Sequence, residues 1–354
     1  MTVAAVAIVE ASAPGKLFLL GEYAVLDGAP ALLAAVDRRA TVTIAPSDDD
    51  RWHLITPGLD LDDLTLEADG SIPAGVDERT RRQLRVFDAV QTVVRCSGAL
   101  SIAIDSTAFS AAGYKLGLGS SAAVATALTA ALSTAAGSSP SREDIRIFAT
   151  DAHRSAQRGA GSGGDVASSS YGGLVGYVRD TPPISLVWPE ELEIMAVVTG
   201  TGSSTTNLVG KVADYAARDP ARYHADIARL AALAHQAQDA LCSADDFLRL
   251  ASDYFDQLVE LDAHAGAGIV SEHHQRLHSL AAGLDGVFKT SGAGGGDVGL
   301  VFARRGASAA RLAAAFAGAG AKPVPLSFGA NGVTVNPCAA PTAAMHIVRD
   351  RSTS

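Results

Sequence analysis

Between Leu116 and Ser141 the chain carries no charged residue. A run of that length is long enough to cross a bilayer. It is built mostly of Ala, Ser, Thr and Gly, however, with few of the large aliphatic side chains that hydrocarbon would reward. What remains is a helix buried on every side within a protein, its small side chains allowing neighbours to approach closely. Such a helix needs a core around it. The chain has the material: 354 residues, 48% apolar and 19% charged, enough for two ordinary domains and incompatible with full disorder. The net charge of -10 argues against nucleic acid or an anionic membrane as partner, though a small basic pocket is still allowed.

The pattern along the chain is α+β. Val3 to Ser12 and Lys16 to Leu20 read as extended, and Arg39 to Ala45 and Leu100 to Asp105 alternate as half-buried strands. Thr80 to Cys96 has helical spacing, and Gly117 to Ala136 passes from glycines into helix formers. Ser141 to Gln157 is a helix that Ser141 can cap, with Asp144 in the place of a capping-box Glu. A short helix follows Gly159–Gly164, then a strand over Gly173 to Val178. Thr181 to Pro189, with three prolines and a Trp, is the expected boundary between domains at 1–185 and 190–345. Beyond it come a buried strand (Leu192 to Val198), helices from Thr205 to Gly283 and a strand over Val298 to Ala303. A helix from Ser308, which would cap it, and a closing hairpin over Lys322 to Asn336 complete the chain.

Cys96, Cys242 and Cys338 lie far apart, form no CxxC pair and read as buried thiols. His273, His274 and His278 have helical spacing but no accompanying carboxylates, which argues against zinc. Met1 to Ala11 is apolar but lacks the positive start of a signal peptide. These features together point to a cytoplasmic protein without a membrane partner; oligomeric state, a homodimer included, stays open.

Three glycine-rich segments concentrate the chemistry: Ala13 to Leu26, Lys115 to Val124 and Lys289 to Gly299. In the second, Gly117-Leu118-Gly119-Ser120-Ser121-Ala122 leads into the charge-free helix. Glycines let backbone amides turn toward a ligand, and a helix N-terminus offers unpaired N–H groups and the positive end of a dipole. Two serine hydroxyls at that place suit a polyphosphate with its cation. A capped helix with a flexible lead-in would use the same residues. No Walker A pattern occurs. Gly159/Gly161/Gly164 and Gly294/Gly296/Gly299 match G-x-G-x-x-G, but the first follows a helix and the second runs into an apolar strand, so neither is a dinucleotide fingerprint.

In order and spacing the three segments resemble the motifs of the GHMP kinases, the family of galactokinase, homoserine kinase, mevalonate kinase and phosphomevalonate kinase. The resemblance implies two α+β halves, the first like ribosomal protein S5 and the second ferredoxin-like, with ATP and Mg2+ between them. Segments between the motifs narrow it. Ala152-His153-Arg154-Ser155-Ala156-Gln157 with Gly161-Ser162-Gly163-Gly164-Asp165-Val166-Ala167, and Thr199-Gly200 through Ser203-Ser204-Thr205 to Lys211-Val212, look like bacterial phosphomevalonate kinases. Mevalonate kinases carry a metal-binding Glu eleven residues before the Asp, where this chain has Arg154. The turn Leu26-Asp27-Gly28-Ala29-Pro30 is shorter than usual, and Val298 stands where Cys is common, so a substrate variant remains open.

By this resemblance Lys16 and Asp165 are the catalytic pair, with lysine orientation, metal binding and base catalysis all open for Asp165. Lys115, Gly117, Leu118, Gly119, Ser120, Ser121 and Ala122 are expected at ATP, with Ser121 on the metal. Tyr23, His153, Ser162, Gly163, Ser203, Ser204, Thr205, Ser291, Gly292, Ala293 and Gly294 are expected at the acceptor. The implied reaction is phosphorylation of (R)-5-phosphomevalonate. Mevalonate or another small acceptor is the nearest alternative. A non-turning-over ligand sensor is the more distant one, and the intact Lys16, Asp165 and Ser121 speak against it.

Overall fold

A computed structural model of the chain describes residues 8–338 except 50, 60, 97, 112–113, 160, 201–204 and 297. Its elements run β1 (Ile8–Leu20), β2 (Ala31–Pro46), β3 (His53–Thr56), β4 (Leu61–Thr65), α1 (Glu78–Gln83), α2 (Arg85–Val93), β5 (Leu100–Asp105), β6 (Ser110–Ala111) and β7 (Tyr114–Lys115). Next come α3 (Ser120–Ala135), α4 (Arg142–Ala156), α5 (Gly164–Tyr171), β8 (Leu174–Tyr177), β9 (Ile184–Leu186) and β10 (Leu192–Val198). Then follow α6 (Thr205–Arg218), α7 (Pro220–Ala240), α8 (Ala244–Ala265), α9 (Glu272–Ala282), β11 (Gly286–Thr290), β12 (Val298–Arg304), α10 (Ala307–Gly318), β13 (Lys322–Val324) and β14 (Thr334–Cys338).

The two apolar runs of the N-terminus form one strand. β1 pairs antiparallel with β2 from Val9↔Ile44 to Leu20↔Leu32, with irregularities at Pro14/Gly15 and Phe18/Leu20. Pro14 has no N–H to give the ladder, and a bulge is where a strand tolerates that. β2 is long enough to pair with β8 near its start and β5 near its end, so the first sheet runs β14-β1-β2-β5-β3-β4 with β8 and β9 branching from β2. The second sheet is β11-β12-β10-β13.

The charge-free run becomes α3, eleven of whose residues are buried. It lies on β1 and β2, with α2, α4 and α5 around it. α4 begins with the expected capping box of Ser141 and Asp144. On the other sheet, α8 and α9 cover β11. No helix among the described residues is long and apolar enough to cross a membrane.

The structure corrects four expectations. Thr80 to Cys96 is two helices, α1 and α2, that share Leu84 as the end of one and the start of the next. Gly306, with φ 125, rather than Ser308, precedes α10 as its N-cap. Cys242 is exposed and Cys96 only half-buried. And Lys322 to Asn336 is no hairpin: β13 pairs with β10 in the second sheet, while β14 crosses to pair with β1, Ser12↔Thr334 to Ile8↔Cys338. Alternation marks a strand but not its partner, and here the partner lies at the far end of the chain.

The crossing segment is held by backbone groups. Gly329 N–H donates to Ala35 O at 2.8 Å, Gly173 N–H to Ala330 O at 2.8 Å and Val333 N–H to Ser170 O at 3.1 Å. Arg39 donates to Asn331 O (2.7 Å), Gly332 O (2.9 Å) and Ser12 O (2.8 Å). The approach at the end of α5 is so close that a Cβ on Gly172, at φ +72, would stand 2.0 Å from Gly332 N. Gly173 has a similar φ of +67 but open space around it. Gly172→Ala is therefore expected to cost about 3 kcal/mol or more, and Gly173→Ala only about 1 kcal/mol for the left-handed backbone alone. Urea unfolding of both variants checks this; equal losses would mean that the contact with Gly332 does not matter.

Candidate active site

All three glycine-rich segments border one cavity of about 610 Å³. Lys16 reaches it from β1, just past the bulge. Its backbone N–H donates to Leu118 O at 2.8 Å, which fastens the first segment to the second. Its side chain is 8% exposed, its ammonium 5.0 Å from the Phe18 ring centre, and among the described residues no acceptor lies within hydrogen-bond distance of Nζ. A cation held at such a place without a direct hydrogen bond is poised for an anionic ligand.

Two helix N-termini open on the same cavity. α3 starts after Gly119 (φ 76) without a side-chain cap, while α5 starts after Gly163 (φ 88) with Ser162 Oγ accepting from Gly164 N at 3.2 Å and the Asp165 carboxylate taking amides of its own first turn. At α3 the amides of Ala122 and Ala123 bond back to Gly119 O at 3.1 Å, while no acceptor among the described residues takes those of Ser120 and Ser121. Anions favour such a site through both the unpaired N–H groups and the dipole. Asp165 lies in the first turn of α5. Burial works against its charged form, but His153, Lys16 and the amides of Asp165 and Val166 outweigh it and hold the carboxyl below the usual range. The connection before α5 is fixed from behind, since Arg154 Nη2 (2.9 Å) and Tyr177 OH (2.8 Å) both donate to Ser162 O.

Of the expected residues, Lys16, Tyr23, Lys115, Gly117, Leu118, Gly119, Ser120, Ser121, Ser162, Asp165, Thr205, Ser291, Gly292, Ala293 and Gly294 line the cavity. Ala122 and Gly163 do not, and Ser203 and Ser204 lie outside the described residues. His153, expected at the acceptor, is 2% exposed and sits behind Ser121 instead: its Nε2 is 3.0 Å from Ser121 Oγ and 3.1 Å from Gln157 Nε2. Burial, reinforced by Lys16, keeps the imidazole below its ordinary range despite Asp165, so it is neutral near pH 7.

The sequence did not single out the seam behind the cavity. Lys289 is fully buried, paired with Glu22 and also donating to Thr290 O at 2.6 Å. Burial pulls its ammonium below the usual lysine range against the attraction of Glu22. Tyr254 OH donates to Glu22 O (2.7 Å), Tyr23 OH to Ala293 O (2.6 Å) and Ser291 Oγ to Phe18 O (2.9 Å). Both charged residues lie within the glycine-rich segments, but nothing in the sequence pairs positions 267 apart. Gln157, Phe18, Val25, Leu26 and Val209 also line the cavity unannounced.

The family model for the GHMP kinases N terminal domain matches residues 84–173. A phosphomevalonate kinase of Streptomyces sp. (strain CL190) is 31% identical over 81% of this chain and 88% of its own length. This chain is a GHMP kinase. A mevalonate kinase of Thermococcus sibiricus matches at 32% identity, but over 57% of this chain and 60% of its own length. Among solved structures, the Lin0012 protein of Listeria innocua superposes with a TM-score of 0.82 at 25% identity, covering 93% of this chain and 99% of that one. The Streptococcus pneumoniae phosphomevalonate kinase, in complex with phosphomevalonate and AMPPNP, gives 0.76 at 20% identity over 90% and 99% and shares the α+β fold. This GHMP kinase thus belongs to an ATP-using family.

Two predictions follow from the geometry. A Cβ on Gly119 would lie 2.8 Å from Lys16 Cε, at a φ of +76. Gly119→Val should therefore weaken ATP binding, read by calorimetry, by roughly 10-fold or more in a folded protein; unchanged affinity would detach this loop from the nucleotide. The second concerns His274, whose Nδ1 accepts from Ser271 N at 3.2 Å and whose Nε2 therefore donates to Thr199 Oγ1 at 3.0 Å. Burial, with a smaller push from His273 and against Asp262, lowers it to about 4. The unfolded chain takes up this proton near pH 6.5 and the folded one only near 4, so stability is full above about 6.5 and falls toward 4, by roughly 3 kcal/mol in all. Unfolding free energies between pH 7 and 4.5 should show a slope that His274→Gln flattens.

Proposed function

We propose that this GHMP kinase transfers the γ-phosphoryl group of ATP to the phosphate of (R)-5-phosphomevalonate, giving the 5-diphosphate and ADP. The observation that carries the reading is Lys16, a nearly buried cation with no salt bridge among the described residues, in one cavity with the uncapped N-terminus of α3 and the Asp165 carboxylate. Bringing two polyanions together is the cost of this reaction, and aligned amides with a desolvated ammonium offset it. The match to the Streptomyces enzyme over most of both chains supports the same acceptor.

A phosphate monoester has its second pKa near about 6 and is already a dianion at neutral pH. Its oxygen attacks the γ-phosphorus, the bond to the β,γ-bridging oxygen breaks and ADP leaves with that electron pair; no proton has to be removed first. Lys16 screens the charge of the approaching groups. Ser120 and Ser121 hold phosphate oxygens through their amides, and Asp165 keeps Lys16 oriented. Ser121 and Asp165 offer an all-oxygen donor set suited to a hard cation, and they are the residues that would hold magnesium. Bound there, the ion supplies positive charge against the nucleotide phosphates.

Mevalonate as acceptor is the second reading, since mevalonate kinases match at similar identity. Against it stands Arg154, at the position of the metal-binding Glu that the resemblance assigns to mevalonate kinases. It is committed to Asp180 Oδ1 at 2.7 Å and to Ser162 O, and does not line the cavity.

A coupled assay for ADP tests the choice. The expected kcat/KM is at least 10-fold higher for 5-phosphomevalonate than for mevalonate, and equal or better turnover of mevalonate moves the assignment to that acceptor. With a dianionic acceptor, Asp165→Asn should be slow yet keep the acidic limb near pH 6 that belongs to the substrate phosphate. Loss of that limb in kcat/KM between about pH 5 and 9 would make Asp165 a general base.

A further inference from the structure

Two short pieces of chain contribute aliphatic residues to the cavity lining. A single 3-10 turn, Ala24–Asp27, follows the first glycine-rich segment and contributes Val25 and Leu26. The other piece, α6, contributes Thr205 and Val209. These two are four residues apart and share a helix face. It borders the core face of α6, where Leu208, Val212 and Tyr215 are buried and against which Val209 packs. Val209 and Leu26 are each half-buried, and their side chains carry no hydrogen-bonding group.

The turn is held from two sides. Arg179 Nη1 donates to Leu26 O at 3.2 Å, and Tyr223 OH, from α7, donates to Asp27 Oδ2 at 2.6 Å. Gly28, at φ +91, closes it with its N–H on Val25 O at 3.3 Å. A hydrophobic surface fixed in this way discriminates by shape. Its Leu26 and Val209 side chains reward a methyl group that fills the space between them and offer no hydrogen bond to the hydroxyls of a sugar. Among the described residues, Thr205 is the one polar side chain that the two pieces bring to this wall.

Together with the acceptor reading above, on which it rests, the geometry points to Leu26 and Val209 as the residues that select the acceptor's carbon chain. They take a branched, methyl-bearing chain and disfavour a polyhydroxylated one. Asp27 and Tyr223 are positioning residues that keep the Leu26 side of this wall in place. A single methylene or methyl in a well-shaped apolar pocket changes kcat/KM by roughly 10- to 200-fold.

The test compares the acceptor with its desmethyl analogue, hydrogen replacing the branch methyl, in wild type, Leu26→Ala and Val209→Ala. Wild type should prefer the methyl compound by roughly 10-fold or more in kcat/KM. In either variant the preference should shrink to within about 3-fold, because the methyl then faces a gap, while the KM for ATP stays put. Tyr223→Phe should raise the KM for the acceptor more than it lowers kcat, again without touching ATP. No methyl preference in wild type, an undiminished preference in both variants, or a KM for ATP that moves together with the acceptor's would overturn the assignment. The pair is run with the 5-phosphorylated and the unphosphorylated acceptor. Turnover of only the unphosphorylated one changes the proposed function but still reads the wall. Turnover of neither removes both.

Discussion

A lysine and a glutamate, each nearly without solvent exposure, face one another where the two sheets of this kinase meet. Taking both charges out of water costs several kcal/mol apiece, and the pair persists only where the geometry is good and neighbours complete the bonding. Thr290 O takes a second Lys289 N–H, and the Tyr254 ring lies 5.8 Å from the ammonium. Removing either partner would leave the other charge stranded in a dry place, so the third glycine-rich segment has little freedom to drift from the first. Tyr23 adds to this restraint. It accepts a strained φ of 62 and donates to Ala293 O, and burial raises its phenol far above the ordinary range, so it remains a donor at any working pH.

The cavity in front of this seam gathers charged and polar groups from separate parts of the chain. Lys16, the amides that begin α3 and the carboxylate that begins α5 are brought to one opening by separate elements, β1, α3 and α5. Each of these packs on another through small or apolar side chains. The absence of charge in α3 has its explanation here. The helix is enclosed by β1, β2, α2, α4 and α5, and a charged residue on any face would be buried without a partner.

Much of this was legible in the sequence because the relevant signals are local. Glycines before a helix, a Ser-Asp capping box and an alternating strand all report on residues a few positions apart. Gly119, Ser121 and Asp165 could therefore be placed at helix starts, and Lys16 at the cavity, from the motifs alone. What escaped depends on distant partners. His153 looked like a cavity residue because it stands in a motif, but whether it faces a ligand or backs Ser121 depends on how α4 rotates against α3. Glu22 and Lys289 belong to recognisable segments, and only the fold joins them. β14 alternates like any strand, and its partner is the first strand of the protein.

That last pairing bears on how the chain comes to be folded. Until residues 334–338 are available, the outer edge of β1 from Ile8 to Ser12 presents open backbone N–H and C=O groups. An uncovered edge is a template for a neighbouring chain. During synthesis from the N-terminus, the first sheet therefore stays incomplete while the whole second sheet and its helices emerge. β14 covers that edge of β1 and becomes the edge of the sheet in its place, so a nascent chain that has made the Gly117–Ala122 loop but not residues 334–338 leaves β1 open to aggregation.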